Sequence, residues 1–245
     1  MTASVQPNER PRLDGFLIID KPVGPSSMKA VARVRWCAGR TKTGHAGTLD
    51  PLASGVLVLG LGKATKHLQT AMATDKVYET TIDLSGTTPT FDAEVEAQPV
   101  IIDTPPDRLA VEAVLDRFRG TIQQAPPAFS AMKVNGQRAY QLARKGEIAD
   151  LPEREAHLHT LDLLDYQWPN VTLRIHCRKG FYVRALARDL GKALDTGGWC
   201  RSIRRTAVGP FTIEQATRLD DVPEVLRAED LLTLEDVQAA LAQAP

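Results

Sequence analysis

No stretch of this 245-residue chain holds the roughly 20 consecutive apolar residues that would cross a bilayer. The opening segment, MTASVQPNERPRLDG, is polar and carries two prolines, so the apolar stretch of a signal peptide is missing as well. Cysteine is scarce. Cys37, Cys177 and Cys200 are odd in number and far apart, matching neither a disulfide framework nor a zinc spacing, and they suggest a reducing compartment. These absences make the cytoplasm the expected location. There is also no metal-ligand cluster, no phosphate-binding loop, no dinucleotide fingerprint, no internal repeat and no low-complexity segment. Net charge is missing too: 30 basic residues balance 30 acidic ones, which at first argues against a nucleic-acid partner.

What is present is an ordinary globular composition, 43% apolar and 24% charged, long enough to bury a substantial core. The charge is unevenly spread. Lys29, Arg33, Arg35, Arg40, Lys42, Lys63 and Lys66 face a single acid, Asp50, in one segment. Arg174, Arg178, Lys179, Arg184, Arg188, Lys192, Arg201, Arg204 and Arg205 face only Asp189 and Asp195 in another. Acids concentrate between Glu79 and Asp116 and between Glu214 and Asp236. If the two basic segments share a face they form a polyanion footprint; scattered solvated charges are the alternative.

Hydrophobic spacing predicts the elements. Residues 1–13 read as a flexible tail, and Gly15–Asp20 as a buried strand ended by Lys21-Pro22. Ser26 or Ser27 caps a helix to about Ala38, with Met28, Val31, Ala32 and Arg35 at helical spacing. Gly39–Gly55 reads as a loop, Val56–Leu61 as a strand and Ala64–Ala73 as a helix. Lys76–Leu84 alternates, with Tyr78, Thr80, Ile82 and Leu84 on one face. Asp107–Arg119 reads as a helix with a Leu109, Ala113, Val114 and Phe118 stripe, stopped by Gly120. Gln123–Gly136 is a proline-rich connection leading to a short helix around Ala139–Lys145. Val171–Cys177 alternates with Val171, Leu173, Ile175 and Cys177 inward, and Gly180 turns the chain into a helix carrying Leu186, Leu190 and Leu194. Strands and helices mix without a βαβ rhythm, which predicts an α+β fold around a mixed, mostly antiparallel central sheet with flanking helices.

The densest chemical signal is Lys42-Thr-Gly-His-Ala-Gly-Thr-Leu-Asp50-Pro-Leu-Ala-Ser-Gly55. A single carboxylate precedes a proline, which biases Asp50 to an extended backbone, and the glycines allow close approach of a ligand or another strand. Read alone, an Asp-Pro pair is more often a turn former. The string closely resembles the motif around the catalytic aspartate of the TruB family of tRNA pseudouridine synthases. Four other segments resemble further motifs of the family in order: Lys21-Pro22-Val-Gly24-Pro-Ser-Ser27 its Lys-Pro motif; Lys76-Val-Tyr78-Glu its tyrosine-bearing strand; Gln124 to Gly136 with Ala139-Tyr140 and Ala143-Arg144 a segment characteristic of this branch; and Cys177-Arg-Lys-Gly180-Phe-Tyr182-Val-Arg184 its arginine motif. Ile203 to Phe211 resembles the family's closing strand, so the likeness runs from about residue 15 to 213.

The resemblance implies the pseudouridine synthase fold with a basic RNA-binding cleft, no cofactor, and isomerisation of a uridine in transfer RNA at position 55 of the T-arm loop. The C1′–N1 bond breaks, the base turns over, and C1′ joins C5. Asp50 is implied as nucleophile or base, and Arg184 as the cation that favours its ionised form. An exposed helix residue is the alternative for Arg184, but a cation in a first helical turn opposes the helix dipole, so a specific carboxylate partner is more economical. Tyr78 is implied to stack on the flipped base and help remove the C5 proton; an ordinary core aromatic is the alternative. His45 would fill the space the extruded nucleotide vacates, or be a solvent-exposed loop histidine. Lys21 would support the site beside the tyrosine, or be a surface lysine. Tyr182 and Ile203 would line the base pocket, although Ile203 could equally be core. The basic segments become phosphate contacts, and a flipped base from an RNA loop fits the need to expose the target bond.

The expected organisation is a tail at 1–13, a catalytic domain at 14–218 and a helical end of the core at 219–245, without the PUA-type RNA-binding domain of many relatives. Pro89 and Arg178 depart from the family's usual residues. A monomer is expected. A guide-RNA-dependent synthase of the dyskerin type and a non-catalytic RNA-binding or tRNA-folding chaperone are the competing readings; Asp50, Tyr78 and Arg184 together favour catalysis.

Overall fold

The computed structural model describes residues 13–130, 132–134, 137–139, 142, 146–147 and 151–243. In chain order the elements are β1 (Gly15–Lys21), α1 (Ser27–Cys37), β2 (Thr43–Ala46), β3 (Ala53–Leu61), α2 (Leu68–Ala73), β4 (Lys76–Asp83), β5 (Gly86–Thr87) and β6 (Gln98–Pro99). There follow α3 (Arg108–Leu115), β7 (Gly120–Gln124), β8 (Lys133–Val134), β9 (Gln137–Arg138), β10 (Arg154–Gln167) and β11 (Asn170–Cys177). The series closes with α4 (Val183–Ala193), β12 (Trp199–Val208), β13 (Phe211–Thr212), β14 (Thr217–Arg218) and α5 (Leu234–Gln243). The fold is α+β with mostly antiparallel pairing, as the mixed pattern predicts. No helix among the described residues is long and apolar enough to cross a membrane.

The chain divides into two units, one drawn from Met1–Lys76 and Arg204–Pro245, the other from Val77–Ile203. In the first, β1 lies antiparallel to β3 from Gly15 opposite Leu61 to Lys21 opposite Gly55, and parallel to β14. Both faces of β1 and β3 are buried, which is why they read as continuous apolar runs rather than alternating strands. One face joins Phe16, Ile18, Val56 and Val58 to Leu68 and Ala71 of α2, Phe211 of β13 and Val237 of α5. In the second unit the order is β12, β4, β11, β10, β7, with β10 and β11 forming a long antiparallel hairpin closed at Gln167–Asn170. Val171, Leu173, Ile175 and Cys177 are buried on alternate positions of β11, as expected.

Helix α1 starts where the sequence places it: Ser26 is the cap and its side chain accepts from the Lys29 N–H. The buried stripe is shifted, however. Ser27, Ala30, Val31, Val34 and Cys37 face inward and Met28 is 63% exposed, because small residues let the helix lie close to the strands beneath it. The same phase error affects α3, where Val111, Val114 and Leu115 are buried and Leu109 is 73% exposed. That helix also ends early, at Leu115, and continues as a 3-10 turn through Phe118. Residues 62–67 likewise form a 3-10 turn before α2. The predicted 39–55 loop holds a strand: β2 pairs with β3, Thr43 opposite Leu61 to Ala46 opposite Val58. Gly44 and Gly60 face each other there because Leu68 packs directly on both; a Cβ at either would approach it to 3.0–3.1 Å. The proline-rich connection after Gln123 likewise includes the short pair β8–β9. Leu13, assigned to the tail, is buried; residues 1–12 and most of the helix expected at 139–145 lie outside the described residues.

Gly55 has φ +105°, and a Cβ there would sit 2.1 Å from the Arg205 carbonyl oxygen. Gly24 has φ +112° but no atom within 4 Å of its would-be Cβ. Gly24→Ala is therefore expected to cost only backbone strain, about 1–2 kcal/mol. Gly55→Ala adds an irreconcilable backbone overlap and should lower stability by several kcal/mol more, read as the difference between the two midpoints in urea unfolding.

Candidate active site

Within the first unit, Asp50 sits on a short turn between β2 and β3, its carbonyl accepting from the Ala53 N–H at 3.1 Å. Three anchors fix this turn. Ser27, in the first turn of α1, donates to the Leu49 carbonyl and accepts from the Leu49 N–H, both at 2.8 Å and both buried. The Pro51 carbonyl accepts from the Gly24 N–H at 2.8 Å, linking the turn to the Lys-Pro segment. The third anchor is Arg205 on β12. Its guanidinium is buried and donates to the carbonyls of Val56 at 2.8 Å, Gly47 at 3.2 Å and Thr48 at 3.5 Å. A planar donor fork suits this task, since several converging carbonyls on one segment can be satisfied by one side chain. Gly47, at φ +89°, supplies the bend that brings its carbonyl into reach.

Lys21 is fully buried at the end of β1, so it is not a surface lysine. Its Nζ donates to the carbonyls of Pro22 and Pro25, each at 2.9 Å. Burial lowers its pKa from 10.5 to about 8, the Arg205 charge adds to the lowering, and Asp50 and Asp20 oppose it. Asp50 and Lys21 therefore feel each other's charge. His45 lies on β2 rather than in the Asp50 loop, opposite Leu59. Burial and then the Arg205 guanidinium lower its pKa, with the Gly47 backbone opposing, so the ring is held towards its neutral form.

The second unit carries Tyr78, Tyr182, Arg184 and Ile203. Tyr78 is half-buried on β4, while Thr80 and Ile82 beyond it on the same face are buried. Tyr182 caps α4, and its backbone is held at both ends: Gln124 accepts from its N–H at 2.8 Å and donates to its carbonyl at 3.1 Å. Arg184, in the first turn of α4, is buried rather than exposed. Within this unit it donates to the carbonyls of Thr90 at 3.0 Å and Phe129 at 2.8 Å and pairs with Asp92 at 3.2 Å. Ile203 is buried.

Sequence reasoning missed Asp92, Gln124 and Arg205. Asp92 is nearly inaccessible, its Oδ1 accepting from the Thr90 hydroxyl at 2.6 Å and the Glu94 N–H at 3.0 Å while Thr88 brackets its backbone. In the polar segment Thr88-Pro-Thr-Phe-Asp92 only Pro89 stood out as a departure from the family; the available signal for Asp92 was that a carboxylate partner was required for Arg184. All three cysteines are free and buried, and burial pushes the Cys200 thiol up to about 12.

The basic segments differ in kind. In the first, Lys29, Arg33, Arg35, Arg40, Lys42, Lys63 and Lys66 are exposed. In the second, Arg174, Arg184, Arg188, Arg201 and Arg204 pair with Glu79, Asp92, Asp189, Asp83 and Asp20, and Arg205 is consumed by carbonyls.

The fold is that of the pseudouridylate synthases. A chain in the crystal structure of a Cbf5-Nop10-Gar1 complex matches it at TM-score 0.68 and 30% identity, over 88% of this chain and 56% of that one. A chain of an H/ACA RNP bound to a substrate RNA containing 2′-deoxyuridine matches at 0.64 and 27%, over the same shares. The model of the TruB family pseudouridylate synthase N-terminal domain matches residues 35–183, and that of the tRNA pseudouridylate synthase B C-terminal domain residues 184–244. Similar curated proteins include tRNA pseudouridine synthase B of Thermobifida fusca (strain YX), 47% identical over 85% of this chain and 74% of the relative. That of Pseudomonas aeruginosa (strain UCBPP-PA14) is 44% identical over 88% and 71%. The chain belongs to the TruB family.

Two outcomes follow from this geometry. Because folding lowers the Lys21 pKa to about 8, the charged form is penalised at every pH below that value. Lys21 should thus add stability as pH rises from about 8 towards 10.5. In an NMR titration of the lysine side chains its midpoint should fall near 8 and move lower still in Asp50→Asn, which removes a charge that raises it. Separately, Asp92→Ala strands the buried Arg184 cation and should cost about 3–5 kcal/mol in equilibrium unfolding.

Proposed function

We propose that this protein isomerises uridine to pseudouridine at position 55 in the T-arm loop of tRNA, without a cofactor. Asp50 is the nucleophile or base at the sugar–base junction, Arg184 its cationic partner, and Tyr78 the group that stacks on the turned base and helps remove the C5 proton. The C1′–N1 bond breaks, the base rotates, C1′ bonds to C5, and the proton lost from C5 is balanced by one gained at the freed N1, so no electrons leave or enter. His45 fills the gap left by the extruded nucleotide, a role suited to a ring held towards neutrality. Tyr182 and Ile203 line the base pocket and Lys21 supports it. The exposed cations between Lys29 and Lys66 contact phosphates, and binding weakens as salt rises. The free thiols fit a cytoplasmic setting, and the protein acts as a monomer.

The observation that carries this reading is the anchoring of the Asp50 turn by Ser27, Gly24 and Arg205. A turn former needs no such support, whereas a reacting carboxylate must be held in one place before the substrate arrives. The test is tritium release from a T-arm stem-loop labelled at C5 of the target uridine. The wild type should release label, and Asp50→Asn should release none while still binding the RNA. Binding without release by the wild type, on full-length tRNA as well, would instead favour the chaperone reading.

A further inference from the structure

Helix α1 turns to solvent a face that its packing does not use. Lys29, Arg33 and Trp36 stand there at i, i+4 and i+7, away from the buried Ala30, Val34 and Cys37. Trp36 is 62% exposed. Arg40, past the helix end at φ +64°, is fixed by its N–H, which donates to the Arg35 carbonyl at 2.8 Å. Its guanidinium folds back over the Trp36 ring, 5.4 Å from the centroid. With one face under Arg40, the exposure of the indole falls on its other face and its edge. The chain holds no Asp or Glu between Asp20 and Asp50. Folding does not account for this stripe. Cations near a helix C-terminus complement the dipole, but Lys29 lies in the first turn, where the dipole opposes it. A cation–π contact in water gains little, and the seating of α1 on its buried side owes nothing to Trp36.

We propose that Trp36 stacks on an unpaired nucleobase of the bound tRNA other than the target uridine, with Lys29 and Arg33 on the phosphates beside it. This deepens the tRNA reading above and rests on it. The occupant follows from the chemistry of the stripe. Cations without an acid among them call for a polyanion, and an open aromatic face between cations matches a nucleotide, whose base stacks while its phosphates pair. A fully paired stem offers no free base face, so the contact selects an unpaired nucleotide. The stripe also begins beside the site. Ser27, two residues before Lys29, holds both backbone groups of Leu49, the residue before Asp50. An RNA strand seated at Asp50 therefore meets Lys29 first and Trp36 roughly 10 Å further along the helix axis. Arg40 backs the ring and adds positive charge behind the stacked base.

The experiment measures the Kd of the full chain for a labelled full-length tRNA transcript by fluorescence anisotropy over a range of salt, beside a blunt, fully paired RNA duplex. Trp36→Ala should weaken tRNA binding roughly 5- to 100-fold with an unchanged salt slope, and leave duplex binding as in the wild type. Trp36→Phe, which keeps a stacking ring, should recover most of the loss. Lys29→Ala/Arg33→Ala should instead make the salt slope shallower by about 2. In tritium release the Trp36→Ala defect should fall on KM and not on kcat. Wild-type tRNA affinity in Trp36→Ala would overturn the contact and leave the face to an acidic protein partner. An equal loss on the duplex, or no recovery by Trp36→Phe, would overturn it as well. Binding is read without turnover, so the two readings fail separately. A wild type that binds through Trp36 but releases no label would sink the isomerase reading alone, and normal release with an inert Trp36→Ala would sink this contact alone.

Discussion

Of the three anchors on the Asp50 turn, the buried Arg205 guanidinium is the one that also ties it to β3. Arg205 leaves β12 and donates to three carbonyls: Gly47 and Thr48 before the acid, and Val56 after it. One side chain thus ties the segment before the acid to the start of β3, so the shape of the turn is coupled to that strand. The glycine at position 55 belongs to the same constraint, because the Arg205 backbone occupies the space where any side chain would begin. The sequence around Asp50 is glycine-rich for this close approach, and the turn is anything but slack. Lys21 enters the same neighbourhood and gives up part of its basicity to burial.

A second buried cation plays the corresponding part in the other unit. Arg184 opens α4 where the helix dipole disfavours a positive charge, and Asp92 supplies the compensation. Asp92 is itself held by Thr88, Thr90 and the Glu94 amide, so its carboxylate cannot drift from the pair. Gln124 fixes the backbone of Tyr182 two residues earlier. The start of α4 is thus determined by side chains from two other segments, since its cap residue provides no side-chain hydrogen bond.

Much of this fold was legible because its causes are local. The Ser26 cap, the β11 alternation and the unbroken apolar run of β1 each follow from neighbours in sequence. The misreadings share a different cause. The helical period of α1 was right and its phase wrong, because Ser27 and Ala30 are buried for their small size and not for their hydrophobicity. Strand β2 was invisible because Gly44 is there to admit Leu68, a residue 24 positions away by simple subtraction. The site shows the same division. Asp50, Tyr78 and Arg184 were named from a family resemblance, and nothing in their own spacing would have joined them. Arg205 and Asp92 escaped because a buried ion looks like a solvated one until its partners are known.

The zero net charge resolves in the same terms. Counting charges treats every arginine as available to a polyanion, yet the second basic segment has spent most of its cations on Asp20, Asp83, Asp92, Asp189 and Glu79. Those pairs and the carbonyl contacts of Arg205 organise strands and helix starts. The first segment keeps its lysines and arginines exposed on α1, after it, and on the turn before α2. An exposed cation gains little from an intramolecular partner in water but releases counterions from a nucleic-acid backbone. The acids that bring the sum to zero are therefore no argument against RNA, because several of them balance arginines within the fold, Asp92 with the buried Arg184 foremost.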